Sequence, residues 1–217
     1  MHCCKSGINF AASNALKREQ IHRTMLDKDE VKEAIVNVAR HIFSRFGFRK
    51  TTMDEIAIAS RKGKSSIYYY FASKEEIFQA VVEKEASILK QELKKAINEA
   101  DSPAQKLKAH VLVRMQTMEK LANFYSAIKD DYLSHLDFVE KIRKKYDLEE
   151  IQMMENILNE GVQNNMFEIN DTPLAAIAIV TALKGMEIPL FWGVEEKDIE
   201  LRLDNLIQIL FHGIMKR

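Results

Sequence analysis

TTMDEIAIASRKGKSSIYYYFASKEE, residues 51–76, is the stretch on which the fold turns. Thr52 and Glu55 stand in the S/T-x-x-E spacing of a capping box, which satisfies orphan N–H groups at a helix start. They predict a short helix to about Ser60, a turn at Arg61–Gly63, and a second short helix from Lys64 to Phe71. Ser73 and Glu76 repeat the capping-box spacing and open a long helix. Two short helices around a tight turn predict a helix-turn-helix. In the second helix Ile67 and Phe71, four residues apart, share one face and predict core. Lys64, Ser65, Ser66, Tyr68, Tyr69 and Tyr70 are left for the other faces. Successive residues lie about 100° apart around a helix, so three consecutive tyrosines cannot all be buried. Exposed phenols beside Lys and Ser suit a DNA-reading surface: hydroxyls and ammonium groups bond phosphates, and ring faces meet thymine methyls and sugars. The competing reading of the same residues is a Tyr-rich packing seam.

Upstream, Val31, Ala34/Ile35, Val38/Ala39, Ile42/Phe43 and Phe46 recur at helical spacing and predict one buried stripe. Asp27, Asp29 and Glu30 lie in the first turn, where the helix dipole favours acids. Gly47 is expected to end this helix in a left-handed conformation. Residues 1–26 show no sustained periodicity and read as a mobile arm, with Met25 an alternative start. Downstream, Ile77, Ala80/Val81, Lys84, Ile88, Leu93 and Ile97 run along the long helix to the break at Asp101-Ser102-Pro103. Further helices are expected near 103–122, 123–134, 138–165, 172–188 and 197–214. The fold class is therefore all-α, with about nine helices. Residues 27–73 are expected to form the helix-turn-helix domain and 74–217 a second helical domain. The long helix from Lys74 is shared, so mechanical coupling of the two parts is expected.

Composition agrees. The chain has 217 residues, 47% of them apolar, with only 7 Gly and 3 Pro, few for a fold rich in turns. Cys3 and Cys4 are adjacent and give neither a disulfide framework nor a zinc site. The longest mostly apolar run, Leu174–Leu183, is far short of the roughly 20 residues that span a bilayer. With no signal-peptide core at the N-terminus, a cytoplasmic location without membrane partners is expected. The net charge is zero, but Arg40 to Lys74 carries +6 while Ile77 to the end carries −5. A basic patch on a neutral chain is the footprint of a localised nucleic-acid surface.

The stretch from Ile35 to Glu83 resembles the DNA-binding domain of TetR-type (tetracycline-repressor-like) transcriptional regulators. The marks of that family stand here as Ile42-Phe43 with Gly47, Thr51-Thr52 with Ile56-Ala57, Ile67-Tyr68-Tyr69-Tyr70-Phe71, and Ser73-Lys74-Glu75. The resemblance implies that Thr52 caps the second helix and meets a phosphate. Lys64, Ser65 and Ser66 would face base edges, and Tyr68 and Tyr69 would contact bases, sugars or phosphates. Tyr70 stands where the family often has a phosphate-binding His, and Lys74 would grip the DNA backbone. The turn departs from the pattern. The family usually has a small residue, Gly and an apolar residue there, and this chain has Ser60, Arg61 and Lys62, with Gly63 in place of a Ser/Thr cap.

The resemblance further implies that 74–217 is a regulatory, ligand-binding and dimerisation domain, with a homodimer through the last two helices (about 172–188 and 197–214), a palindromic double-stranded DNA operator, and release of a repressor by a ligand. Leu174–Leu183 is apolar nearly all round, and Leu203, Leu206, Ile207, Leu210 and Ile214 form a stripe, consistent with such an interface or with intrachain core. Met118, Tyr125, Tyr132 and Met153 are the candidate contacts to a small apolar or amphipathic ligand, methionine being suited to irregular apolar space. An enzyme is the competing class. The one Glu-x-x-His spacing is Glu19–His22, and no phosphate loop, nucleophile elbow or HExxH occurs, so no catalytic, metal or cofactor residue is expected. A DNA-bound scaffold that recruits a protein without an inducer, and a sequence-independent DNA binder, are the remaining alternatives.

Overall fold

Side-chain caps set where the helices begin. In the structure, a computed structural model that describes residues 28–121, 123, 137–191, 201, 205 and 207–209, the Thr52 hydroxyl accepts from the Glu55 N–H at 3.3 Å and the Thr52 N–H donates to the Glu55 carboxylate at 2.7 Å. That closed capping box starts α2 (Met53–Ala59). α1 spans residues 28–46 before it, and α3 (Lys64–Tyr70) follows the turn. At α4 (Lys74–Asn98) the Ser73 hydroxyl accepts from Glu76 N–H at 3.2 Å, and the Glu76 carboxylate reaches one residue further back, to the Ala72 N–H at 2.6 Å. Ser102 and Gln105 cap α5 (Pro103–Lys120) in the same reciprocal way, with Pro103 as its first residue. α6 (Asp137–Gln163) and α7 (Thr172–Phe191) complete the labelled elements, and Asp171 caps α7 by accepting from Leu174 N–H at 2.9 Å. α7 runs past Pro189, three residues beyond the expected end. All labelled elements are helices, and an all-α fold results.

Two compact units divide between Val81 and Val82, inside α4. In the first unit Gly47 ends α1 at φ +79, and its N–H bonds Phe43 O. The α1 stripe is rotated from the expected one. Ile35, Val36, Ala39 and Phe43 are buried, while Phe46 is 54% exposed beneath the Arg45 guanidinium. The core there is an aromatic cluster: Phe43 meets Phe78 edge-on at 5.2 Å, and Phe48 lies 4.8 Å from Phe78. Ile56 and Ala57 of α2, with Ile67 and Phe71 of the α3 segment, close it.

In the second unit α5, α6 and α7 pack around Leu107, Val111, Met115, Met154, Leu158, Ile179 and Leu183. Met166 N–H returns to Gly161 O and Asn165 N–H to Val162 O, with Asn165 left-handed at φ 55, so α6 ends in a Schellman motif. The Phe167 ring then lies against Gly161 so closely that a Cβ there would stand 2.0 Å from it.

Candidate nucleic-acid interface

Burial of Ile67 and Phe71 fixes the rotation of α3, and the 100° step then assigns every other face. Ser65 and Tyr69 point furthest from the core, with Tyr68 beside them. Tyr69 is 68% exposed and Tyr68 46%, so the tyrosines are not a packing seam. Tyr70 is half-buried on the flank, its ring edge-on to Tyr69 at 5.0 Å, and Ser66 is likewise half-buried. Lys28, on the first turn of α1, places its ammonium 4.9 Å from the Tyr69 ring centroid. Sequence reasoning missed Lys28, because α1 and α3 meet only through tertiary packing.

Three of the expected contacts are occupied within the unit itself. The Thr52 hydroxyl, accepting from Glu55 N–H, is also 3.0 Å from the Glu55 carboxylate in the capping box. Lys64 pairs with Asp54 at 2.8 Å, both side chains being more than half exposed. The hydrogen bond and charge of Asp54 raise the Lys64 pKa above the ordinary lysine value. Lys74 turns inward, donating to Phe48 O and to Thr51 O, each at 2.9 Å. A phosphate at Thr52 or Lys64 would therefore share or displace a carboxylate, while Ser65, Tyr68 and Tyr69 present open surface.

The turn that departs from the family pattern folds as a Schellman motif. Lys62 N–H bonds Ala57 O and Arg61 N–H bonds Ile58 O, both at 3.0 Å. Arg61 is left-handed at φ 55, the conformation for which glycine is suited and an arginine is strained. Gly63 then starts α3 without a side-chain cap. Arg61, Lys62 and Lys64 are all exposed around this turn.

The second unit holds a different kind of site. Ala86, Leu89, Lys90 and Leu93 of α4 and Tyr146, Glu149, Glu150 and Met153 of α6 line a narrow, half-open cleft with a cavity volume of about 20 Å³. Lys90 and Glu149 pair across it at 2.8 Å. Burial, aided by the Glu149 and Glu83 carboxylates, raises the Tyr146 pKa, so its phenol is a neutral donor near pH 7. Behind the cleft Glu150 accepts from Arg114 Nε at 2.5 Å and faces His110 Nε2 at 3.1 Å, all three side chains being buried. Burial alone would raise the Glu150 pKa. Arg114 and His110 overcome that and lower it to about 2. Of the candidate ligand contacts, Met153 lines the cleft, while Tyr125, Tyr132 and the side chain of Met118 lie outside the described residues. Among the described residues no His/Cys/Asp/Glu group could hold a metal, and no helix is long and apolar enough to cross a membrane.

A basic helix-turn-helix face on a helical chain defines a class, the DNA-binding transcriptional regulators. The family model for bacterial regulatory proteins of the tetR family matches residues 35–81, the helix-turn-helix unit up to the division in α4. The HTH-type transcriptional regulator QacR of Staphylococcus aureus is 25% identical over 193 residues, covering 86% of this chain and 99% of QacR. A transcriptional regulator from Cytophaga hutchinsonii superposes with a TM-score of 0.74 at 26% identity, over 85% of this chain and 98% of its own. AibR, solved with isovaleryl coenzyme A and operator DNA, shares the fold at a TM-score of 0.61 and 17% identity, over 83% of this chain and 98% of its own. Residues 35–81 thus carry the DNA-binding domain of the tetR family, and the chain is similar over most of its length to DNA-binding transcriptional regulators.

Proposed function

We propose that this protein is a ligand-released repressor that binds a palindromic operator as a homodimer, with α3 laid in the major groove. The observation that carries the reading is the outward face of α3, where Ser65, Tyr68 and Tyr69 stand exposed between the cations Lys28 and Lys64. A face of this kind reads base edges through its hydroxyls and contacts thymine methyls with its rings. Ser66, Tyr70 and Thr52 flank it and approach sugars or phosphates in this reading. Arg61 and Lys62 add positive charge at the turn.

One such unit spans only a few base pairs, so specificity calls for two. The face of α7 turned away from its core supports a second copy: Leu174 is 62% and Ile177 46% exposed, and Ala178, Thr181 and Ala182 continue it at helical spacing. Leu201 and Ile209 of the C-terminal segment are exposed as well, while Ile207 is buried. The cleft between α4 and α6, widened by a parting of the two helices, would take a small amphipathic inducer. Leu89, Leu93 and Met153 offer an apolar wall, and Lys90, Glu149 and Tyr146 offer a polar rim. AibR was solved with an acyl-CoA and with operator DNA, so one fold accommodates both kinds of partner. A ligand wedged there would shift α4 and move the paired α3 helices off the roughly 34 Å repeat of the major groove. A cytoplasmic location, where such DNA lies, belongs to the same proposal.

The test is selection of random duplexes by the purified protein at fixed salt, with sedimentation of the protein alone and bound. An enriched palindrome taken up by two chains, and lost in Tyr69→Ala, is the expected result. Enrichment that is absent, or unchanged in Tyr69→Ala, overturns the assignment of α3.

A further inference from the structure

We propose that Lys74 is a positioning residue, a latch that ties the first turn of α4 to the corner between α1 and α2, and not a phosphate contact. The inference rests on the reading of α3 as the DNA-reading helix. Lys74 is the first residue of α4, where the positive end of the helix dipole disfavours a cation. The structure supplies the compensation. Its ammonium donates to Phe48 O and Thr51 O at 2.9 Å each and stands 4.3 Å from the centre of the Phe48 ring. An ammonium has three N–H donors, and two of them are committed to these carbonyls.

The corner it holds decides where α2 starts. Residues 48–51 are not helical, so their carbonyls have no ladder of their own. Thr51 is buried, with its hydroxyl donating to Gly47 O at 2.9 Å, and the next residue is the cap of α2. Phe48 beneath the ammonium packs on Phe43 of α1 and Phe78 of α4. The polar latch thus ties the corner to α4, and the aromatic cluster ties the same corner to both α1 and α4. A displacement of the first turn of α4 is carried by Lys74 into the corner, from there into the start of α2, and through the α2–α3 turn to the reading face.

Lys74→Met keeps the stem and removes the donors, and Lys74→Gln returns an amide NH2 with two N–H donors but no charge. Each variant is compared with wild type for affinity to the selected duplex across salt, and for amide hydrogen exchange at residues 52–57. A latch predicts exchange at least roughly tenfold faster in Lys74→Met, as expected for lost hydrogen bonds to a charged group. It also predicts weaker binding with the slope of log affinity against log salt within about 0.3 of wild type, and partial recovery of both readouts in Lys74→Gln. A slope lowered by about one in both variants, with exchange unchanged, makes Lys74 a phosphate contact and overturns the proposal. Unchanged affinity and exchange overturn it equally. If Lys74→Met does not fold, recovery of the exchange pattern in Lys74→Gln decides. If wild type selects no duplex, the reading of α3 falls, and the exchange measurement decides the latch alone.

Discussion

The two units put their polar groups to opposite use. In the first, residues 28–81, charge lies outside: Lys28, Arg61, Lys62 and Lys64 surround an exposed face, and the core is an aromatic cluster. In the second, a polar cluster is buried: Arg114 pairs with Glu150 beside His110 among the packed helices, and Asn123 donates to buried Glu85 at 2.8 Å. An exposed charge can be exchanged for a ligand's charge at little energetic loss. A buried pair cannot, because removing one partner strands the other away from water. The first unit is built to be contacted from outside, and the second holds a fixed internal arrangement beside its cleft.

The largest expected effect breaks the second unit. Glu150→Ala removes the buried carboxylate shared by Arg114 and His110 and lowers unfolding stability by about 3–5 kcal/mol in urea denaturation. Hydrogen exchange resolves the contrast: amides of α5 and α6 lose protection, while those of α2 and α3 keep theirs. Loss of protection in both units alike would mean that they unfold as one, and the contrast would fail.

Acid probes the same cluster. The folded-state pKa of Glu150, about 2, lies below the ordinary value of 4.5, so its contribution to stability is complete above that ordinary value. The contribution is lost as pH falls from about 4.5 through about 2, and amounts to about 3 kcal/mol. Glu150→Gln should flatten this part of the stability–pH curve, and an unchanged curve in that variant would remove Glu150 as its source.

Substitution on the outer face acts on binding and spares the fold. Tyr69→Ala is expected to weaken operator binding by about 1–3 kcal/mol, the scale of a base contact, while the urea midpoint shifts by less than about 0.5 kcal/mol equivalent. A large loss of stability would make Tyr69 a packing residue. The smallest effect sharpens the role of the turn. Arg61→Gly relieves a left-handed side chain and should stabilise the first unit by about 0.5–1 kcal/mol, read as a raised melting temperature. Weaker DNA binding in the same variant would show that this arginine is kept for its charge at the expense of local strain.

Much of the first unit was legible because its signals are local. The Thr52/Glu55 box, Gly47 at positive φ, the bounds of α2 and α3, and burial of Ile67 and Phe71 each depend on residues within a few positions. The α1 stripe was legible at Ile35, Ala39 and Phe43 and not at its edges. Its rotation toward Val36 and away from Phe46 follows from where Phe48 and Phe78 pack, which the spacing of α1 does not encode. Ser73 shows a finer limit: the box spacing was right, yet Glu76 reaches Ala72 in place of the cap's own N–H. Among the described residues of the second unit, the helices near 103–122, 138–165 and 172–188 were legible and the buried polar groups were not. Glu85, in a helix read by its apolar positions, is buried, and Glu150 meets partners 36 and 40 residues away.

By itself the sequence determined the all-helical class, the helix-turn-helix and the residues available to its outer face, because capping, periodicity and motif spacing are short-range. Only the tertiary structure decided which of those residues stand open and which are engaged at home. Thr52 is held by Glu55, Lys64 by Asp54 and Lys74 by the carbonyls of Phe48 and Thr51, while Ser65, Tyr68 and Tyr69 remain outward. The physical reason is that a side chain's partner depends on which distant backbone or carboxylate the packing brings within about 3 Å, and a lysine's letter is the same whether it faces solvent or its own fold.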